Sequence, residues 1–412
     1  MLHGTCKILR LGAVLLTGTI LAGCSGAGSS EEAGRQDDGE DAAPAPPDPE
    51  RFEGQDFYEQ PDPLPAGEPG SLLRYQPLDG AAVDGGTGWR VMYLSESLEG
   101  DPIAVTGVVV VPSGPAPSEG RKLVTIAHGT TGIADECAPS HEPGGAGLGL
   151  TGQFVEAGYV VAISDFEGLG TPGRHPYLVG ESEGRSVLDA AKAAMQLPEA
   201  EVGDRYAIIG YSQGGHGALW ANELADEWGP DLDLVGAVAG APATELPVIF
   251  AAGPAIGGFF LSLVAGFDAA YPEADPSLVL TDAGLETLDA VDEGCIGDVF
   301  EAVAELGNEQ LVRADHTSVE PWATLMEENN PGRVAVDSPV LILHSLADDT
   351  VPAGLSEQLL DRMCDVGQTV ERRTYDRGQG HVAAAPDAFA DGFAWIEGLM
   401  DGGAATSSCP AP

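Results

Sequence analysis

The feature that most restricts what this chain can fold into lies at residues 206–220. There an apolar run, Tyr206-Ala207-Ile208-Ile209, enters Gly210-Tyr211-Ser212-Gln213-Gly214 and continues as a helix-forming segment. This reads as strand, sharp turn, helix. A serine at the apex of such a turn takes a strained backbone conformation, and glycines two places before and after it keep strand and helix from colliding. The arrangement holds a hydroxyl above the end of a sheet, available as a nucleophile. In a chain with 57 glycines the five-residue pattern also arises by chance, so its meaning depends on its surroundings.

Those surroundings are regular. Residues 89–96 and 104–111 are β-rich and separated by Glu99-Gly100-Asp101-Pro102, the pattern of an antiparallel hairpin. Short apolar runs then alternate with amphipathic segments: strands are expected at 123–127, 159–164, 206–210, 234–239, 340–343 and 370–375, with helices at 182–197 and 354–364 among those between them. Buried strands alternating with helices imply an α/β fold, a mostly parallel sheet flanked by helices. About a hundred residues between the strands at 234–239 and 340–343 exceed what one strand-to-helix connection needs. Their apolar stretch at 246–265 and helical stretches at 282–291 and 298–311 imply a helical cap or lid inserted at 245–332 in a catalytic domain spanning 70–412. The inner face of that cap has two readings, an acyl pocket or simply packed core.

The N-terminus reads as a targeting segment. Lys7 and Arg10 precede an apolar stretch that closes on Leu21-Ala22-Gly23-Cys24, so residues 1–23 form a lipoprotein-type signal and Cys24 is the expected lipidation site. An ordinary secretory signal is the alternative, and both imply export. Residues 24–69 are rich in acidic residues, Pro and Gly and read as a solvated tether to the membrane, with Phe52, Phe57 and Tyr58 able to dock its distal end. Beyond Cys6 and Cys24 the cysteines are Cys137, Cys295, Cys364 and Cys409, an even set suited to disulfides in an exported protein, with three pairings open. Their spacing is not that of a zinc site, and neither metal nor cofactor is expected. With 65 acidic and 18 basic residues the net charge is −47, which repels phosphate backbones and rules against nucleic-acid partners. The chain is expected to act as a monomer.

Acyl transfer needs a nucleophile, a base, a group that orients the base, and donors for the oxyanion. Ser212 is the nucleophile, and the N–H of Gln213, opening the helix, is the first oxyanion donor. His128-Gly129-Thr130-Thr131-Gly132 follows an earlier strand and supplies the second donor, the N–H of Thr130, with Thr131 as the alternative. His128 itself is expected to brace that turn. Asp348, at a strand end and followed by Asp349-Thr350-Val351-Pro352, is preferred over Asp349 as the acid. His381, in Arg377-Gly378-Gln379-Gly380-His381, is the one histidine downstream of it, as the order Ser, Asp, His requires. Asp165-Phe166-Glu167-Gly168, with Arg174 and His175 close behind, is expected to brace a loop near the site.

Taken together, His128-Gly129-Thr130-Thr131-Gly132, Cys137-Ala138-Pro139-Ser140, Asp165-Phe166-Glu167-Gly168, Gly210-Tyr211-Ser212-Gln213-Gly214-Gly215 and Asp348-Asp349-Thr350-Val351-Pro352 resemble the secretory lipase family, the lipase A-like α/β-hydrolases of fungi and actinobacteria. The resemblance runs from about residue 65 to the C-terminus. It implies an α/β-hydrolase fold with a helical lid, a triad of Ser212, Asp348 and His381, and cleavage of carboxylic esters including acylglycerols. It also implies pairing of Cys137 with Cys295 and of Cys364 with Cys409. Two other functions remain to be weighed: an exported peptidase on the same scaffold, and a non-catalytic surface lipoprotein that holds a hydrophobic ligand.

Overall fold

The runs that read as unbroken apolar strands occupy the middle of one ten-stranded sheet. The computed structural model describes residues 48–78, 85–142, 150–304, 306 and 308–410, which belong to one unit, Pro44–Pro412. The signal segment, Cys24 and the tether up to residue 47 lie outside the described residues.

The strands are β1 (Glu50–Arg51), β2 (Leu72–Pro77), β3 (Gly86–Glu96), β4 (Pro102–Pro112), β5 (Arg121–Ala127), β6 (Val160–Ser164), β7 (Val202–Tyr211), β8 (Asp233–Gly240), β9 (Val340–Ser345) and β10 (Val370–Tyr375). Their order across the sheet is β1-β2-β3-β4-β6-β5-β7-β8-β9-β10. Antiparallel pairing joins β2, β3, β4 and β6, and every pair from β6 to β10 is parallel. This is an α/β-hydrolase fold, a mostly parallel sheet flanked by helices.

The helices are α1 (Gly152–Glu156), α2 (Gly180–Gln196), α3 (Gln213–Trp228), α4 (Leu246–Ala252), α5 (Gly258–Ala270), α6 (Asp282–Leu288), α7 (Ala290–Glu293), α8 (Ile296–Ala304), α9 (Asn308–Leu311), α10 (Trp322–Glu328), α11 (Ala353–Val366) and α12 (His381–Met400). Side chains along β5 alternate between two cores, as a strand's period of two requires. Leu123 packs with Val187, Leu188, Ala191 and Ala218 of α2 and α3. Val124 and Ile126 pack with Phe154, Trp395 and Ile396 of α1 and α12. Helices therefore cover both faces, which is why the central strands carry no polar alternation.

Helices α4 to α10 lie between β8 and β9 and share a third core, in which the rings of Phe250 and Trp322 stack 5.6 Å apart. Residues 246–265 divide residue by residue between packed core and cavity wall. Phe250, Phe260 and Val264 are packed core, whereas Val248, Ile249 and Phe259 line a cavity. The helical stretch expected at 298–311 is two helices, α8 and α9. Among the described residues no helix is long and apolar enough to cross a membrane.

Residues 48–69, which composition assigns to the tether, lie on the sheet. Phe57 is buried in a small core with Leu73, Met92 and Leu94, and Tyr58 stacks on His141 at 3.8 Å. The described part of the domain thus begins some twenty residues before position 70. Three aromatic rings offset the ordering entropy that the remaining polar residues of this segment could not.

Candidate active site

The sheet reverses its winding at β5: β6 is added on one side of it and β7 on the other. At such a switch point the loops leaving two adjacent strands diverge and open a crevice beyond their carboxyl ends. Ala127 of β5 pairs with Gly210 of β7, so the Gly129-Thr130 loop and the Ser212 turn emerge side by side.

Ser212 has φ 62° and ψ −121°, a region that non-glycine residues rarely occupy. The flanking glycines are required by space. A Cβ on Gly210 would stand 1.9 Å from the carbonyl oxygen of Gly214, and one on Gly214 would stand 1.9 Å from that of Ala127. The turn is tied down by the Ser212 N–H, which donates to Gly240 O at 2.9 Å, and by Ala243 N–H, which donates to Ser212 O at 3.1 Å. Gln213 opens α3. As the first residue of a helix it has no intrahelical acceptor for its N–H, and among the described residues neither that amide nor that of Thr130 donates to a protein group.

Asp348 and His381 follow β9 and β10, further along the same sheet edge. His381 Nδ1 is 2.7 Å from Asp348 Oδ2, and His381 Nε2 is buried with no partner among the described residues. The histidine adjoins the serine turn: Tyr211 donates its hydroxyl to His381 O at 2.7 Å. Burial alone would raise the Asp348 carboxyl. Hydrogen bonds from His344 and His381, the charge of His381 and the N–H of Thr350 outweigh it and hold the group well below the ordinary carboxylate range. Oδ1 accepts from Thr350 N at 2.9 Å and Val351 N at 2.8 Å. His344 Nε2 lies 3.4 Å from Oδ2. Asp349 does different work, accepting the backbone N–H of His381 at 2.9 Å.

Behind the serine turn lies a buried network that the sequence did not announce. Gln213 Nε2 donates to Glu183 Oε1 at 2.9 Å and to His175 Nε2 at 2.8 Å. Burial lowers the His175 imidazole to about 4, so the ring is neutral, with its proton on the Nδ1 that faces Glu167 O. Glu183 Oε2 lies 2.6 Å from His216 Nδ1, and His216 Nε2 donates to Asn329 O at 3.0 Å. The one available signal was periodicity: Glu183 shares a helical face with Val187, Ala190, Ala191 and Ala194 of α2, so a carboxylate was bound to enter the core.

The remaining candidates are distributed as follows. His128 is buried against Gly129 O (2.7 Å) and Asp165 O (3.3 Å), and burial lowers its pKa. Asp165, raised by burial, accepts from Ser140 N at 2.9 Å and Thr106 Oγ1 at 2.7 Å. Arg174 reaches over to Asp268 and Asp292 of the inserted helices. Cys137 is bonded to Cys295 and Cys364 to Cys409. Next to the first bridge, Gly132 pairs with Cys295 and Thr131 O accepts from Ile296 N at 2.9 Å. Among the described residues no cluster of His, Cys, Asp or Glu is arranged to hold a metal.

Ser212, Thr350 and Val351 open onto a cavity of about 150 Å³ whose other walls include Tyr177, Val248, Ile256, Phe259 and Leu263. Among the described residues no charged side chain lines it.

Sheet order, strained serine turn and inserted helices define an α/β-hydrolase. Comparisons with known proteins narrow the class. The secretory lipase family model matches residues 148–408, and the chain belongs to that family. It is 24% identical over 383 residues to a secreted triacylglycerol lipase of Malassezia globosa, covering 86% of this chain and 82% of that one. It is 26% identical over 361 residues to a probable inactive lipase of Mycobacterium tuberculosis, covering 80% and 78%. Its fold matches the X-ray structure of Candida antarctica lipase A in its closed state, with a TM-score of 0.72 and 22% identity over 84% of this chain and 85% of that one.

Proposed function

We propose that this protein is an exported serine carboxylic-ester hydrolase, a lipase or esterase acting on acylglycerol-type esters. The observation that carries the reading is the constellation at the sheet edge: a strained serine on an apolar cavity, beside a histidine whose Nδ1 is held by a buried carboxylate and whose Nε2 has no partner among the described residues. Family membership and the secreted triacylglycerol lipase of Malassezia globosa support ester hydrolysis and export.

In this reading Ser212 Oγ attacks the ester carbonyl while His381 Nε2 takes its proton, and the carbonyl electron pair moves to oxygen. The N–H groups of Gln213 and Thr130 receive that oxyanion, donors already oriented before the charge develops. Collapse of the tetrahedral intermediate breaks the ester C–O bond, and the leaving alcohol takes the proton from His381. Water, deprotonated by the same nitrogen, then releases the acid and restores Ser212. Asp348 fixes the Nδ1–H tautomer and stabilises the imidazolium.

The wall of Val248, Ile256, Phe259 and Leu263 favours an acyl chain over an aminoacyl group, since a peptidase reading α-amino groups needs an anionic clamp that the lining lacks. Residues 1–23 act as a lipoprotein-type signal and Cys24 as the anchor to a membrane surface. Labelling with a fluorophosphonate should modify Ser212 alone, and p-nitrophenyl esters of graded chain length should be cleaved in preference to aminoacyl p-nitroanilides. Folded protein that resists the label would end the enzyme reading, and a preference for anilides would end the lipase reading.

A further inference from the structure

Thr130 and Tyr177 form a pair of hydroxyls with one proton to spare. Thr130 Oγ1 and Tyr177 OH are 2.8 Å apart, and among the described residues neither has another hydrogen-bond partner. Two hydroxyls hold two protons, and their mutual bond uses one. The direction of that bond follows from acidity. A phenol is the better donor and an aliphatic hydroxyl oxygen the better acceptor, so Tyr177 donates to Thr130 Oγ1. Burial raises the Tyr177 phenol further, so it stays protonated and keeps this role at any working pH. The Thr130 proton is then left over, on an oxygen that already accepts one hydrogen bond.

Its position gives that proton a use. Tyr177 and Ser212 line the same cavity. Gly129, the residue before Thr130, is so close to the serine turn that a Cβ built on it would lie 4.0 Å from Ser212 Cβ. Tyr177 is itself held rigidly: its N–H donates to His175 O at 2.8 Å, and its backbone presses on Gly266 of α5. The hydroxyl pair therefore joins the Gly129-Thr130 loop to the wall of the cavity beside the nucleophile.

We infer that the Thr130 side chain is a third oxyanion donor, with Tyr177 as the residue that positions its hydroxyl. This rests on the ester-hydrolase reading above and deepens it. The oxyanion gains a charge-assisted hydrogen bond from Thr130 Oγ–H, stronger toward the tetrahedral intermediate than toward the neutral ester carbonyl, so it acts on kcat more than on KM. Tyr177 contributes by fixing the Thr130 hydroxyl through the bond it donates and by polarising its O–H bond.

The test uses the full-length protein and a p-nitrophenyl ester, with alkylboronic acid inhibition as a second readout, because the boronate adduct places an oxygen where the oxyanion forms. Thr130→Val keeps the shape and removes the donor. It is expected to lower kcat by about 10²-fold, the usual effect of losing one oxyanion donor, with KM little changed and boronate affinity falling in parallel with kcat/KM. Thr130→Ser should retain most of the activity, and Tyr177→Phe should lose on the order of tenfold in kcat. A Thr130→Val enzyme with kcat and boronate affinity near those of the parent would overturn the inference while leaving the ester-hydrolase reading intact. So would a Thr130→Ser enzyme as impaired as Thr130→Val at unchanged thermal stability, since loop packing would then account for both. Parent protein that neither hydrolyses esters nor reacts with fluorophosphonate would sink the underlying reading and this inference with it.

Discussion

His381 is held by two neighbouring carboxylates through two different atoms: its Nδ1 by Asp348 Oδ2 at 2.7 Å, and its backbone N–H by Asp349 Oδ1 at 2.9 Å. The first contact governs the ring that would carry the proton, and the second governs where the helix α12 that begins at this histidine is seated.

This division predicts unequal effects of matched substitutions. Asp348→Asn should lower kcat by about 10⁴-fold, because an amide donates to Nδ1 and enforces the wrong tautomer. Asp349→Asn keeps an acceptor for the backbone N–H and should cost less than about tenfold. Steady-state hydrolysis of a p-nitrophenyl ester measures both, and the reverse ranking would assign the acid to Asp349.

The same carboxylate gives a pH dependence of known sign. Its folded pKa lies below the unfolded value, so its contribution to stability is fully present above about pH 3.9 and is lost as pH falls through the lower folded value. Thermal unfolding followed from about pH 7 down into that acid window should show the parent losing its advantage over Asp348→Asn. A difference between the two that does not shrink in acid would contradict the assignment of cause.

Glu183 accepts from two buried donors, Leu178 N and Gln213 Nε2, and its other oxygen lies 2.6 Å from His216 Nδ1. Glu183→Ala strips these buried polar groups of their common partner, and urea unfolding should show a loss of about 3–5 kcal/mol. Glu183→Gln should cost less, since one oxygen still accepts. A loss below about 1 kcal/mol for the alanine variant would mean that water enters and replaces the carboxylate.

The bridge between Cys137 and Cys295 closes a span of 158 residues, whereas that between Cys364 and Cys409 closes 45. Chain entropy makes removal of the first costlier, at about 5 kcal/mol against about 4 kcal/mol. Only the first adjoins the Thr131-Gly132 segment, where Thr131 O accepts from Ile296 N. Replacing both its cysteines by alanine should therefore lower kcat as well as the urea midpoint, while the same change at Cys364 and Cys409 should alter the midpoint alone. Equal effects on kcat would separate the Thr131-Gly132 segment from the bridge.

Chain order and periodicity made much of this molecule legible. The alternation of apolar runs and amphipathic segments determined the fold class. Ser212, Asp348 and His381 could each be placed at the end of a strand, because strands, turns and Val-Pro signals are properties of a few consecutive residues. The arrival of Phe52, Phe57 and Tyr58 on the sheet was half visible as aromatic residues in a polar stretch. What only the tertiary structure decided were contacts between distant segments. Asp348 and Asp349 are adjacent in sequence, yet the turn after β9 aims one carboxylate at the ring of His381 and the other at its backbone. Glu183 meets His216 because α2 and α3 pack face to face, and Thr130 meets Tyr177 because the loop after β5 and the segment before α2 converge beside Ser212. Local sequence fixes which way a strand or helix faces. Which polar atoms end up within 3 Å of one another depends on how those faces are stacked, and that is settled by packing of the whole chain.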